Sequence, residues 1–327
     1  MMKTLADIGE RNAITRLSKI ITKKNDSFPI GDDCAILPVH DEYMLVSTDM
    51  VAQHTHLSLK MTPWQIGWFL VAVNLSDLAA KGGIPYGLVL ALGLPRSYPV
   101  VSFEELIHGA HDCAQAFNTR ILGGDTKESK ELVLTGTVLG WVKKNEFMGR
   151  KGAKISDVIA VTGEIGKAAA GMYVLEKDIL SEQACLHFLF EPQPRMTAGR
   201  ILAQSGCIHC CMDTSDGIST SLYQLQQINS VGFCIDSSLL PISSACSKLF
   251  VKESEQNIEE YVLQGGGDYE LLCTLHHDDF SMIKSQLERI DVSFTQIGVV
   301  TKEKEIVYRK NGKKKTLRNK GYEHFTS

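Results

Sequence analysis

No stretch of the sequence approaches the ~20 consecutive apolar residues of a membrane-spanning helix. The most apolar run, Ile66 to Ala80, is interrupted by Asn74 and Asp77. Neither sign of charge dominates. Lys and Arg number 34 against 38 Asp and Glu, a net charge of −4, so nothing points to a nucleic-acid or anionic-membrane partner. The opening residues, MMKTLADIGERNAITRL, mix charges with apolar positions and lack the apolar core of a signal peptide. The nine cysteines are odd in number and scattered among apolar neighbours, as reduced core thiols are and a disulfide framework is not. A cytoplasmic protein is expected. Cys207, His209, Cys210 and Cys211 could suggest zinc, but no second ligand pair has suitable spacing.

The common phosphate-binding signatures are missing too. Gly163-Glu164-Ile165-Gly166-Lys167-Ala168 resembles a P-loop only superficially. Val161 stands where the first glycine is needed, and Ala168 replaces the metal-binding hydroxyl. The chain has no HRD or DFG triplet, which excludes a protein-kinase architecture. No Ser/His/Asp order marks a hydrolase.

What is present is a 327-residue chain that is 44% hydrophobic and 22% charged, long enough for two globular domains. Apolar spacing predicts helices over 4–22, 62–81 and 102–117, and again from about Ile165, over 196–204 and after Gly217. Thr62-Pro63 and the Ser102/Glu105 capping box mark two of the starts. Strands are expected at 44–47, 86–94, 120–122, 132–142, 158–162, 210–212, 233–235, 271–275 and 294–300. Asn311-Gly312 predicts a hairpin across 306–317. The polar stretch 143–154 suggests a boundary, giving domains 1–148 and 149–327. Mixed helices and strands in both halves predict an α+β or α/β architecture.

Acidic residues recur in what read as turns after strand-like segments: Asp32-Asp33, Asp49, Asp125, Asp213 with Asp216, and Asp268. Turn formation and helix capping account for any one of them. Asp77 does no turn work, because it lies inside an apolar helical run one turn after Asn74. No run of Arg or Lys accompanies these residues to neutralise them. With Ser47, Thr48, Thr126 and Ser215 nearby they form a hard-oxygen set of the kind Mg²⁺ prefers. Gly31, Gly123-Gly124, Gly217 and Gly265-Gly266-Gly267 accompany them and would let backbone N–H groups approach phosphate oxygens. Carboxylates plus exposed amides suit a metal–polyphosphate complex.

In this order, the motifs IGDDCAIL (30–37), VSTDM (46–50), AVNLSDLAAKGG (72–83), LGGDT (122–126), GRKGAK (149–154), DTSDGI (213–218), GGGDYEL (265–271) and KGYEHF (320–325) resemble the thiamine-monophosphate kinase family. That family belongs to the aminoimidazole ribonucleotide synthetase-like superfamily. The resemblance implies a two-domain fold, an N-terminal mixed sheet pairing across a dimer axis and a C-terminal α/β domain. It implies a phosphotransferase with a phosphate group as acceptor: ATP plus thiamine monophosphate gives ADP plus thiamine diphosphate, with several Mg²⁺ ions, ATP as co-substrate and a homodimer. It further implies Asp33, Ser47, Thr48, Asp49, Asp77, Asp125, Asp213 and Asp216 as metal ligands. Asp33, Gly124, Asp125, Arg150 and Ser215 would contact ATP, and His56 and Tyr322 the thiamine phosphate. Gly267 stands where the family has Glu, so that contact is expected to be missing or supplied by Asp268 or Glu270. Two other readings stay open, another ATP-dependent enzyme of the superfamily and a non-catalytic nucleotide- or thiamine-phosphate-binding protein.

Overall fold

The computed structural model describes residues 3–22, 30–250, 255–319, 321 and 323–325. The helices are α1 (Gly9–Ile21), α2 (Gln53–His56), α3 (Pro63–Ala80), α4 (Val100–Ala116), α5 (Lys167–Lys177), α6 (Leu186–Phe190), α7 (Met196–Ser205), α8 (Ile218–Asn229), α9 (Ser244–Leu249), α10 (Glu255–Gln264) and α11 (His277–Glu288). The strands are β1 (Ala35–Val39), β2 (Glu42–Ala52), β3 (Ile84–Leu94), β4 (Ile121–Glu128), β5 (Val133–Lys143), β6 (Val158–Thr162), β7 (Ile208–Asp213), β8 (Gly232–Asp236), β9 (Leu271–Leu275), β10 (Phe294–Thr301), β11 (Ile306–Lys310) and β12 (Lys313–Thr316).

Two sheets result. The first runs β1-β2-β5-β3-β4 and the second β12-β11-β8-β10-β6-β9-β7. Most neighbours are antiparallel; β3 with β4 and β8 with β11 are parallel. Both sheets carry helices, the α+β architecture that the sequence predicts. The stretch 144–157 joins them.

Helix α3 organises the molecule around the site. Thr62 closes a capping box with Gln65, and Pro63 opens the first turn. Apolar residues surround the helix, so it is buried on almost every side, as such a helix must be. Leu70, Leu75 and Leu78 are fully buried, each contributing about 1.5–3 kcal/mol. Against α4 the approach is backbone to backbone. A Cβ on Gly67 would lie 1.9 Å from the Leu106 carbonyl oxygen, and one on Gly109 1.8 Å from that of Trp64. Only glycine fits such a crossing. The core around α3 also takes in Leu202 of α7, Cys211 of β7 and Leu271 of β9, so the first sheet and one face of the second share an apolar interior, while the second sheet buries a separate cluster including Leu222 and Phe233 on its other face.

Several local expectations change. The strand expected at 44–47 extends to Ala52, and Asp49 lies inside it. Asp125 likewise lies inside β4. Asp33 precedes β1, and Asp268 precedes β9. Of the acidic positions read as turns after strands, only Asp213 and Asp216 sit at such a strand end. Backbone pairing across β2–β5 and β3–β4 holds Asp49 and Asp125 in extended structure whatever their turn propensity.

Candidate active site

Carboxylates from three separate elements meet at one end of α3. Ligand oxygens of Asp33, Asp77 and Asp213 lie within 4.8 Å of one another. Asp33 comes from the loop before β1, Asp77 from α3 and Asp213 from the end of β7. Asp49 and Asp216 lie within electrostatic reach of the same group. Neighbouring hydroxyls support it. Ser47 Oγ donates to Asp77 Oδ2 at 2.5 Å, Ser76 Oγ to Asp213 Oδ2 at 2.6 Å, and Ser215 Oγ to Asp213 Oδ1 at 3.1 Å. Asn74, fully buried, accepts the Asp49 amide N–H at 3.1 Å and donates to the Leu70 carbonyl at 2.9 Å. That pair of bonds ties β2 to α3 at the site.

The acids are poised differently. Burial pushes the Asp77 carboxyl well above its ordinary value, and the charges of Asp49, Asp213 and Asp33 add to it. Burial, with Asp33 beside it, lifts Asp213 to about 7. Asp49 rises to about 6 by burial and the charges of Asp216 and Asp33. For Asp33 burial works the same way, but Arg150 and Lys81 together outweigh it and hold the carboxyl low. Carboxylates crowded this closely repel one another unless cations come between them. The donors are oxygens from carboxylates and hydroxyls, the set that fits Mg²⁺.

No run of Arg or Lys accompanies these acids, yet two single basic residues neutralise them in part. Lys81, just past α3, places Nζ 2.6 Å from Asp32 Oδ1 and 2.6 Å from Asp33 Oδ2. Arg150 donates from Nε to Asp33 Oδ1 at 2.9 Å and also contacts it through Nη2. The two basic residues come from distant parts of the chain, and no local run announces them. The signal that could have found Lys81 is its position: a lysine closing an apolar helix must be paired if buried.

Other expected residues lie elsewhere. The Thr48 hydroxyl faces away from Ser47 and Asp49, donating to the Gly136 carbonyl at 3.0 Å on the opposite face of β2. Asp125, 62% exposed in its side chain, pairs with Lys127 at 3.5 Å. It registers with Ala91, which registers with Thr135 and then Met50. Three strand spacings, roughly 14 Å, therefore separate Asp125 from the Asp49 region. Gly124 packs its backbone against Leu90 of β3.

His56 is half-buried in α2, its ring 5.3 Å from that of His324. Burial and then His324 lower its pKa. Tyr322 lies outside the described residues. The segment around it is anchored. His324 N–H donates to Glu10 Oε2 at 3.1 Å, Glu10 N–H returns to the His324 carbonyl at 3.2 Å, and Arg11 N–H donates to Glu323 Oε1 at 3.1 Å. Thus α1 and the C-terminal tail clasp each other beside Asp216.

The loop bearing Gly267 packs on the Asp213–Gly217 turn, with Gly267 N–H donating to the Ser215 carbonyl at 2.7 Å. Both expected stand-ins for the family Glu are already engaged within the protein. Asp268 accepts the Gly166 and Ala168 amides at the start of α5, at 2.6 and 2.9 Å. Glu270 accepts Arg195 Nε at 2.6 Å and Thr162 Oγ1 at 2.7 Å.

Residues 31–142 match the family model for the AIR synthase related protein, N-terminal domain. The thiamine-monophosphate kinase of Methanospirillum hungatei is 34% identical over 285 residues, 87% of this chain and 91% of that protein. The chain belongs to the thiamine-monophosphate kinase family. The Bacillus subtilis member is 31% identical, covering 90% of this chain and 93% of that protein. Among solved structures, AaThiL complexed with AMPPCP and TMP superposes with a TM-score of 0.86 at 26% identity, covering 99% of both chains. The Escherichia coli hydrogenase maturation protein HypE, 18% identical with a TM-score of 0.71 over 84% of this chain and 85% of that one, shares the fold. No helix among the described residues is long and apolar enough to cross a membrane.

Proposed function

We propose that this protein transfers the γ-phosphate of ATP to thiamine monophosphate, giving ADP and thiamine diphosphate. The observation that carries the reading is the convergence of Asp33, Asp77 and Asp213, from three elements, to within 4.8 Å in a member of a kinase family.

A phosphate monoester has a second pKa of about 6 and is mostly dianionic at neutral pH. A phosphate oxygen of thiamine monophosphate is therefore a nucleophile without a general base. The energetic problem is bringing two polyanions together, since like charges 4 Å apart repel by about 4 kcal/mol at an effective dielectric of 20. Asp33, Asp49, Asp77, Asp213 and Asp216, with the Ser47 hydroxyl, would hold Mg²⁺. Bound Mg²⁺ supplies charge neutralisation and alignment for phosphoryl transfer. The protein's own part is positional. Asn74 fixes Asp49, the serine hydroxyls orient Asp77 and Asp213, and Arg150 secures Asp33. Arg150 and Ser215 would contact ATP, and the Gly124 backbone would do so only from a second copy, since β4 lies three strands from Asp49; His56 and the tail bearing Tyr322 would enclose the thiamine end. Transfer is direct, so intact-mass analysis during turnover should find no phosphorylated protein.

A homodimer belongs to this reading. Among the described residues, the face of the first sheet opposite α3 and α4 presents apolar side chains to solvent, with Met50 60% exposed and Val89 and Leu122 exposed beside it. A second copy covers this face, and Asp125 serves a cation site only in such an assembly, because its own chain holds it away from Asp49. Light scattering should give twice the monomer mass. The reaction is tested by incubating protein, ATP, Mg²⁺ and thiamine monophosphate and separating the products. Equal amounts of ADP and thiamine diphosphate are expected. ATP turnover without thiamine diphosphate would point to another superfamily reaction, and binding without turnover to a non-catalytic role.

A further inference from the structure

Lys81 is 0% exposed and among the largest fully buried side chains of the molecule. An ammonium has three donors and no acceptor; here it donates to Asp32 Oδ1 at 2.6 Å and to the Cys211 carbonyl at 2.8 Å, and it forms an ion pair with Asp33 Oδ2 at 2.6 Å. It stands at the C-terminal end of α3, where the helix dipole also favours a cation. One point charge thus joins α3, the loop before β1 and β7, the elements that deliver Asp77, Asp33 and Asp213. Asp32 extends the network by accepting the Arg150 amide N–H at 3.0 Å through its other oxygen. Fully buried among these partners, Lys81 Nζ has no exposed surface to offer a substrate.

We propose that Lys81 is a positioning residue, a built-in counter-ion that holds Asp33 in place and keeps the acidic pocket folded when no divalent cation is bound. The inference rests on the cation-site reading above and deepens it. Removing one partner of a buried ion pair leaves an uncompensated charge, which is strongly destabilising. Near Asp33 that charge has an alternative partner, because a divalent ion entering the pocket compensates it. The loss caused by removing Lys81 is therefore reversed by Mg²⁺, whereas loss of a purely structural contact is not. Turnover falls as well, since Asp33 is then held from one side only.

The test is the melting temperature in EDTA and in Mg²⁺ for the native protein, Lys81→Met, and the double variant Asp32→Asn/Lys81→Met, all purified in Mg²⁺. The double variant has one unpaired carboxylate fewer and remains informative if Lys81→Met does not survive EDTA. The Mg²⁺-induced rise should increase from native to double to single variant, and in Lys81→Met should be at least roughly twice the native rise. Equal rises in all three would overturn the proposal while leaving the cation site standing. Absence of any rise in the native protein would overturn the cation site and this inference with it.

Discussion

Asp77 lies in the last turn of a buried helix, where a carboxylate costs stability unless it does something else. Burial and three neighbouring acids raise its pKa, so in the cation-free protein its charge is a liability. Asp77→Asn should lower turnover by roughly a hundredfold or more. It should also raise the cation-free melting temperature, because it removes a repelled charge. Unchanged turnover would remove Asp77 from the site. Gly267 makes a second residue-scale case. Its φ is +93° and an added Cβ would lie 3.1 Å from the Ala168 Cβ. Any side chain there carries a backbone strain of about 1–2 kcal/mol. Gly267→Ala should therefore lower the melting temperature. Gly267→Glu should suffer the same loss, yet show a lower KM for thiamine monophosphate than Gly267→Ala if a carboxylate there contacts the substrate. Equal KM values would dismiss that contact. At this scale the sequence was informative where a residue broke its local pattern. Asp77 in an apolar helix announced itself. Lys81, two residues before the end of the motif Ala72–Gly83, did not, because its partners Asp32, Asp33 and Cys211 are distant in the chain.

At the scale of elements, α3 is the frame on which the site is built, and Asn74 fastens β2 to it. Asn74→Ala would leave the buried Asp49 amide unpaired, a cost of about 1–3 kcal/mol, and free Asp49 to shift. Differential scanning calorimetry and activity should both register the change; native turnover would show that Asp49 does not depend on this tie. Element positions were legible from apolar runs and some caps, as Thr62-Pro63 for α3 and Asn311-Gly312 for the β11–β12 hairpin show; the Ser102/Glu105 capping box was misleading, because α4 begins at Val100 after Pro99 with no side-chain cap. Strand extent was not. β2 and β4 continue through Thr48-Asp49 and Gly124-Asp125 because their neighbours supply backbone partners, which no local window contains. The same blindness placed Thr48 with Ser47, although strand alternation puts successive side chains on opposite faces.

For the whole molecule the consequence is a pH dependence. Asp49 and Asp213 titrate near 6 and 7 in the folded chain against an ordinary value of 3.8. Between about pH 4 and 7 the folded protein therefore holds protons that the unfolded chain has released, so cation-free stability falls as pH rises through that window. Binding Mg²⁺ displaces those protons, and the Mg²⁺-induced rise in melting temperature should be larger at pH 8 than at pH 5.5. The cation-free decline should shrink in Asp213→Asn. A steeper decline in that variant, or a Mg²⁺ effect independent of pH, would contradict the assignment. Family membership was readable from motif order across nearly the whole chain, but the meeting of those motifs in one pocket needed three dimensions.

The central claim, that dispersed carboxylates form one divalent-cation pocket, is tested most directly by titrating the protein with Mn²⁺ and following free ion by electron paramagnetic resonance, with and without ATP. The native chain should withdraw Mn²⁺ from solution, more strongly with ATP present, and Asp77→Asn and Asp213→Asn should each lose much of that binding. If both variants bind Mn²⁺ as the native protein does, the cluster is not the cation site and the account fails.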